Sequence, residues 1–166
     1  MVIYLSKIDN ETLKWHDKMA KACFNKTWEY LDKADRTPSE NAEMIHVVHA
    51  SRYHWGVLVS NGKGQPVNLQ RGEWQASRVY SVLEMAEPAL YHAKLCLKLT
   101  EDNDIGDFDL AFAHEALARA FALSGKKVEY EKHSKLAEEY GNQINKKEDK
   151  EYFFEDFNGG KWFGMR

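Results

Sequence analysis

Sliding the sequence along itself by 41 residues lays one segment over another. Ala76-Ser-Arg-Val-Tyr-Ser-Val-Leu83 falls on Leu117-Ala-Arg-Ala-Phe-Ala-Leu-Ser124, and Tyr91-His-Ala-Lys-Leu-Cys96 falls on Lys132-His-Ser-Lys-Leu-Ala137. Each copy reads helix, turn, helix. A unit of that size cannot bury its apolar face alone, so repetition at this period implies hairpins stacked on one another. A weaker echo, Ala50-Ser-Arg52 against Ala76-Ser-Arg78, extends the pattern towards the start of the chain.

The rest of the sequence fits an all-α protein. Asp9-Asn10 caps a helix expected to run to about Ala34, and Thr37-Pro38-Ser-Glu40 is a capping box with proline in the first turn. The segment 42–58 is apolar on nearly every side, so it is expected to lie at the centre of the fold. Ser60-Asn-Gly-Lys-Gly-Gln-Pro66 is the clearest break. Antiparallel hairpins are therefore expected at about 10–59, 67–99 and 108–145, all within one domain spanning 1–166. Residues 145–150 read as a charged hinge, and 151–166 as an aromatic tail that caps the last hairpin, with docking into the protein's own groove as the alternative.

Leu117, Ala118, Phe121, Gly125 and Ala137 stand where a tetratricopeptide repeat has its first-helix Leu, small residue, aromatic, turn Gly and second-helix Ala. Tyr80, Leu83, Ala89 and Leu90 fit the same frame in the preceding unit. About 70 of the 166 residues thus resemble that family. The period departs from the family's 34, Tyr130 and Ser134 replace an Ala and an aromatic, and Glu84 stands at the turn glycine. The resemblance implies a short α-solenoid or bundle. It also implies that Arg71, Trp74 and Arg78 on one helix face Phe112, Glu115 and Arg119 on another along a concave groove, with Arg52 extending it. Guanidinium groups interleaved with aromatics suit a carboxylate-bearing peptide or protein partner.

A different class is carried by histidine. Glu43-Met-Ile-His46 and His49 share a helix face, and His92 and His114 could bring further imidazoles, as in a small helical metal- or ligand-binding enzyme. The competing expectation is that His46 and His49 only hydrogen-bond between helices, and that His16, His54 and His133 lie at the surface. No nucleophile elbow, zincin motif, phosphate loop or dinucleotide fingerprint occurs, so no cofactor is expected. The net charge of −3 and the absence of a basic run argue against a nucleic-acid partner. The first residues, MVIYLSKIDNE, do not read as a signal peptide, no apolar run reaches the length of a membrane span, and Cys23 and Cys96 lack a nearby partner thiol. A cytoplasmic protein without membrane contact is expected, and the aromatic content favours a homo-oligomer.

Overall fold

The computed structural model describes residues 8–166, which form seven α-helices and no strand. These are α1 (Asn10–Leu31), α2 (Pro38–Ser60), α3 (Pro66–Val82), α4 (Ala86–Asp102), α5 (Asp107–Leu123), α6 (Lys127–Gln143) and α7 (Lys147–Asn158). Consecutive helices pack as hairpins. Local chemistry sets their starts. Asp9 accepts from Thr12 N at 2.8 Å. Thr37 and Glu40 close a reciprocal box, with Glu40 N donating to Thr37 Oγ1 at 3.2 Å and Thr37 N to Glu40 Oε2 at 2.8 Å.

The 41-residue repeat reappears in the turns, bond for bond. Met85 N donates to Tyr80 O at 2.9 Å and Lys126 N to Phe121 O at 3.0 Å. Glu84 N reaches Ser81 O, and Gly125 N reaches Ala122 O. Both helices end in a left-handed residue, Glu84 at φ 58° and Gly125 at φ 69°. This paired bonding closes a helix end by satisfying carbonyls that would otherwise be orphaned. Glycine adopts the conformation freely, whereas glutamate does so at a cost.

The most enclosed helix is α5. Every residue from Ala111 to Ala122 is buried, because α5 touches α3, α4, α6 and α7. Six of those twelve positions are alanine, which lets four neighbours approach its axis. The expected centre at 42–58 is corrected here. Helix α2 buries a single stripe, Met44, Val48, Ser51, His54 and Leu58, and leaves Tyr53 exposed. Its backbone packs against α1 and α3 alone, with His49 reaching the His92 ring of α4, so its other apolar residues sit half-buried at flanks. The charged hinge is corrected too. Residues 147–150 form the first turn of α7, where Glu148 and Asp149 favour the positive end of the helix dipole.

The odd helices touch in order, α1 with α3 and α3 with α5. The even helices do not pack backbone to backbone in this way, and α2 and α4 meet through the His49 and His92 rings. The odd row is therefore the tighter one, and α1, α3 and α5 share one face of the stack. Helix α7 lies against α5 and α6 at one end of that face. No helix among the described residues is long and apolar enough to cross a membrane.

Candidate binding groove

Arg71, Trp74 and Arg78 follow one another at helical spacing on α3, so all three point at α5. Arg71 meets Asp109 through two parallel hydrogen bonds, Nε to Oδ1 at 2.7 Å and Nη2 to Oδ2 at 2.8 Å. Trp74 Nε1 donates to Glu115 Oε2 at 3.4 Å, and its ring meets Phe112 edge-on with centroids 5.2 Å apart. Arg78 donates to Glu115 Oε1 at 3.2 Å and also pairs with Asp156 of α7. Arg119 Nε donates to the same Glu115 oxygen at 2.6 Å.

The groove arginines are thus neutralised within the protein. Glu115 and Arg119 have side chains 1% and 3% exposed, so their pairing is essentially free of solvent screening. Burial pushes the Glu115 carboxyl up, but Arg78 and Arg119 outweigh it and hold the group below the usual carboxylate range. Asp156 goes the other way. Burial raises it above its ordinary value and the Glu115 charge adds to this, against the pull of Arg78. Glu115 therefore keeps its charge and Asp156 is the readier of the two to take a proton, because two guanidinium groups surround Glu115.

Helix α7 and the segment after it fill part of the face. Arg119 Nη1 donates to Lys161 O at 3.0 Å and its guanidinium lies 4.2 Å from the Trp162 ring centroid. Lys161 Nζ reaches Glu84 at 2.7 Å. Phe153 is fully buried against Phe112, Phe157 and Gly141. Burying a side chain of that size contributes roughly 2–3 kcal/mol. Gly141 is required by this contact, since a Cβ there would lie 2.7 Å from Phe153 Cδ1. The segment 151–166 therefore packs on the last hairpin and also reaches the α3–α5 face.

What α7 leaves open is a pocket of about 380 Å³ walled by four helices. Phe24 and Trp28 come from α1, Gln70, Arg71 and Trp74 from α3, Phe108, Asp109 and Phe112 from α5, and Asp149 and Tyr152 from α7. Its rings form a chain. Trp28 lies 5.7 Å from Trp74, Phe112 4.7 Å from Phe108, and Phe108 6.1 Å from Tyr152, centroid to centroid. Gln70 is buried, and its Oε1 has no hydrogen-bond partner.

The structure brings Arg71, Trp74, Arg78, Phe112, Glu115 and Arg119 onto the α3–α5 face, but Arg52 stands apart. It donates to Glu73 Oε1 at 2.6 Å on the α2 side of α3. The sequence reading missed Phe24, Trp28, Gln70, Phe108, Asp109, Asp149 and Tyr152. Phe24 with Trp28 and Phe108 with Phe112 are aromatic pairs at i, i+4, and that spacing was the available signal.

The histidines are not gathered as a metal site would need. His49 and His92 come together with ring centroids 5.2 Å apart, while Glu43 and His46 are exposed and His114 lies in another hairpin. Among the described residues no three His, Cys, Asp or Glu side chains converge to hold a metal ion. His49 Nε2 hydrogen-bonds Tyr80 at 2.8 Å, and His92 Nδ1 lies 2.7 Å from Glu73 Oε2. His16 and His54, expected at the surface, are buried and meet Nδ1 to Nδ1 at 2.7 Å. His133 is half-buried and meets His114 at 3.0 Å. Histidine serves as the polar contact between neighbouring helices, within hairpins at His16, His92 and His114 and between hairpins at His49. No protein-family model, curated protein or solved structure matches the chain.

Proposed function

We propose that the chain is a non-catalytic, tetratricopeptide-like interaction module, and that a segment of a partner protein seats on the face shared by α1, α3 and α5, beside α7. The observation that carries this reading is the open aromatic pocket on that face, walled by α1, α3, α5 and α7. Apolar pockets with a few placed polar groups are the usual form of a binding site. The repeated turn geometry and the closer packing of the odd helices support the kinship with helical-repeat proteins. The partner differs from the acidic peptide that the arginines alone suggested. Arg71, Arg78 and Arg119 already face Asp109, Asp156 and Glu115, so they offer little further attraction to an acid.

Selection of random displayed peptides on the immobilised protein tests the reading. Tyr152 is about half exposed, so Tyr152→Ala alters the pocket with little strain on the fold. The expected result is a shared sequence motif enriched on the wild type and depleted on Tyr152→Ala. Equal recovery on both proteins, or no enriched motif, overturns the proposal.

A further inference from the structure

We infer that the aromatic pocket is a site for an organic cation bearing N–H groups, an alkylammonium or a guanidinium. This rests on the reading of the α1–α3–α5 face as a binding surface and names the group that anchors there.

Three features converge. Six aromatic rings line the pocket, and the face of such a ring is negative and attracts cations within about 6 Å of its centroid. The charged groups leave one negative charge over. Arg71 and Asp109 cancel through their double hydrogen bond, and Asp149 remains, 4.0 Å from the largely exposed Lys146. A contact of that kind neutralises weakly in solvent. The third feature is Gln70. Its Nε2 donates to Asp109 O at 3.0 Å and to Cys96 Sγ at 3.3 Å. A carbonyl can only accept, so the amide nitrogen must face it, and Oε1 is left buried without a donor.

A ligand that carries both positive charge and N–H satisfies all three. A carboxylate would meet Asp149, the ring faces and the bare Gln70 oxygen, and the nearby arginine is already engaged by two hydrogen bonds. A neutral alkyl group would fill the volume and leave Asp149 and Gln70 unanswered. A quaternary ammonium would suit the rings but bring no hydrogen to Gln70. The pocket volume of about 380 Å³ lies within the usual span for small-ligand sites.

Titration calorimetry on the full chain tests this with butylguanidinium, butylammonium, tetramethylammonium, butan-1-ol and butyrate. The first two are expected to bind at least about tenfold more tightly than the alcohol, and Asp149→Asn to erase most of that preference. Butan-1-ol or butyrate binding as well as the cations overturns the inference, as does an unchanged affinity in Asp149→Asn. Tetramethylammonium binding as tightly as butylammonium overturns the N–H requirement. A Gly-Arg-Gly peptide compared with butylguanidinium separates the two sources of such a cation, a protein side chain if the peptide binds tighter and a free metabolite if it binds weaker. If no probe binds while a displayed-peptide motif still depends on Tyr152, the cation site fails and the interaction face stands. If both fail, the face falls with it.

Discussion

Arg78 on α3 and Asp156 on α7, 78 residues apart in the sequence, form an ion pair beside the buried Glu115. This contact ties the last helix to a helix with which it makes no backbone-level packing. It also means that Arg78, 11% exposed at its side chain, is part of the structure's interior.

Arg78→Ala is therefore expected to lower stability by about 2–4 kcal/mol, because it strips Asp156 of its cation and Glu115 of one of two. Urea unfolding measures the loss. A double-mutant cycle with Asp156→Asn should show coupling between the two sites above about 0.5 kcal/mol. A loss below about 0.5 kcal/mol for Arg78→Ala would place the side chain in solvent instead.

Gly141→Ala tests the seat of α7. The added methyl meets the Phe153 ring and comes within 3.1 Å of Phe154 Cζ. Phe153 is backed by Phe112 and Phe157, so it cannot retreat. Overpacking of this kind costs about 1–3 kcal/mol, which exceeds the fraction of a kcal/mol that alanine returns near a helix end. Limited proteolysis should cut faster around residues 145–150 in the variant. Unchanged cleavage would show that α7 does not depend on Gly141.

Glu84→Gly is expected to stabilise. Glu84 holds a left-handed conformation that costs a side-chain-bearing residue about 1–2 kcal/mol and glycine little. The variant also loses the Lys161 pair, whose side chains are 54% and 72% exposed, worth less than about 1 kcal/mol. The difference favours glycine by roughly 0.5–1 kcal/mol, readable as a higher melting temperature. A lower melting temperature would mean that the Lys161 contact outweighs the strain.

Acid should weaken the α5–α6 hairpin. His114 is pushed down to about 4 by burial first, then by the charges of His133 and Lys132. Its unfolded value is near 6.5, so the unfolded chain binds more protons than the native state between those two limits. The stabilisation is complete above pH 6.5 and is lost as pH falls towards 4, about 1–2 kcal/mol by pH 5. His114→Gln should flatten the dependence of unfolding free energy on pH over that window. An unchanged slope would assign the titration elsewhere.

The sequence carried the fold further than the site. Thr37 with Glu40, Gly125 and Pro66 mark helix ends through chemistry confined to a few residues, and they can be read without knowing the fold. Helix α7 escaped because Lys146-Lys-Glu-Asp-Lys150 looks like a solvated spacer, although Phe153 and Phe157 four positions apart already mark a helical face. The arginine face was legible as a face. Its neutralisation was not, since Asp109 lies 38 residues from Arg71 and Asp156 lies 78 from Arg78, and no local pattern connects them. The same holds for His16 and His54, which look like surface residues until α1 and α2 fold together.

The enclosure of α5 has a consequence for how the molecule opens. Helices α1, α2, α4, α6 and α7 each touch two others and can come away by breaking those contacts, whereas α3 and α5 each touch four, and α5 is the more deeply buried of the two. Amide hydrogen exchange should therefore run in a gradient, with α1 among the first helices to exchange and the backbone from Ala113 to Ala120 the last. Those amides should exchange only when the whole chain unfolds, so their rate would report its global stability.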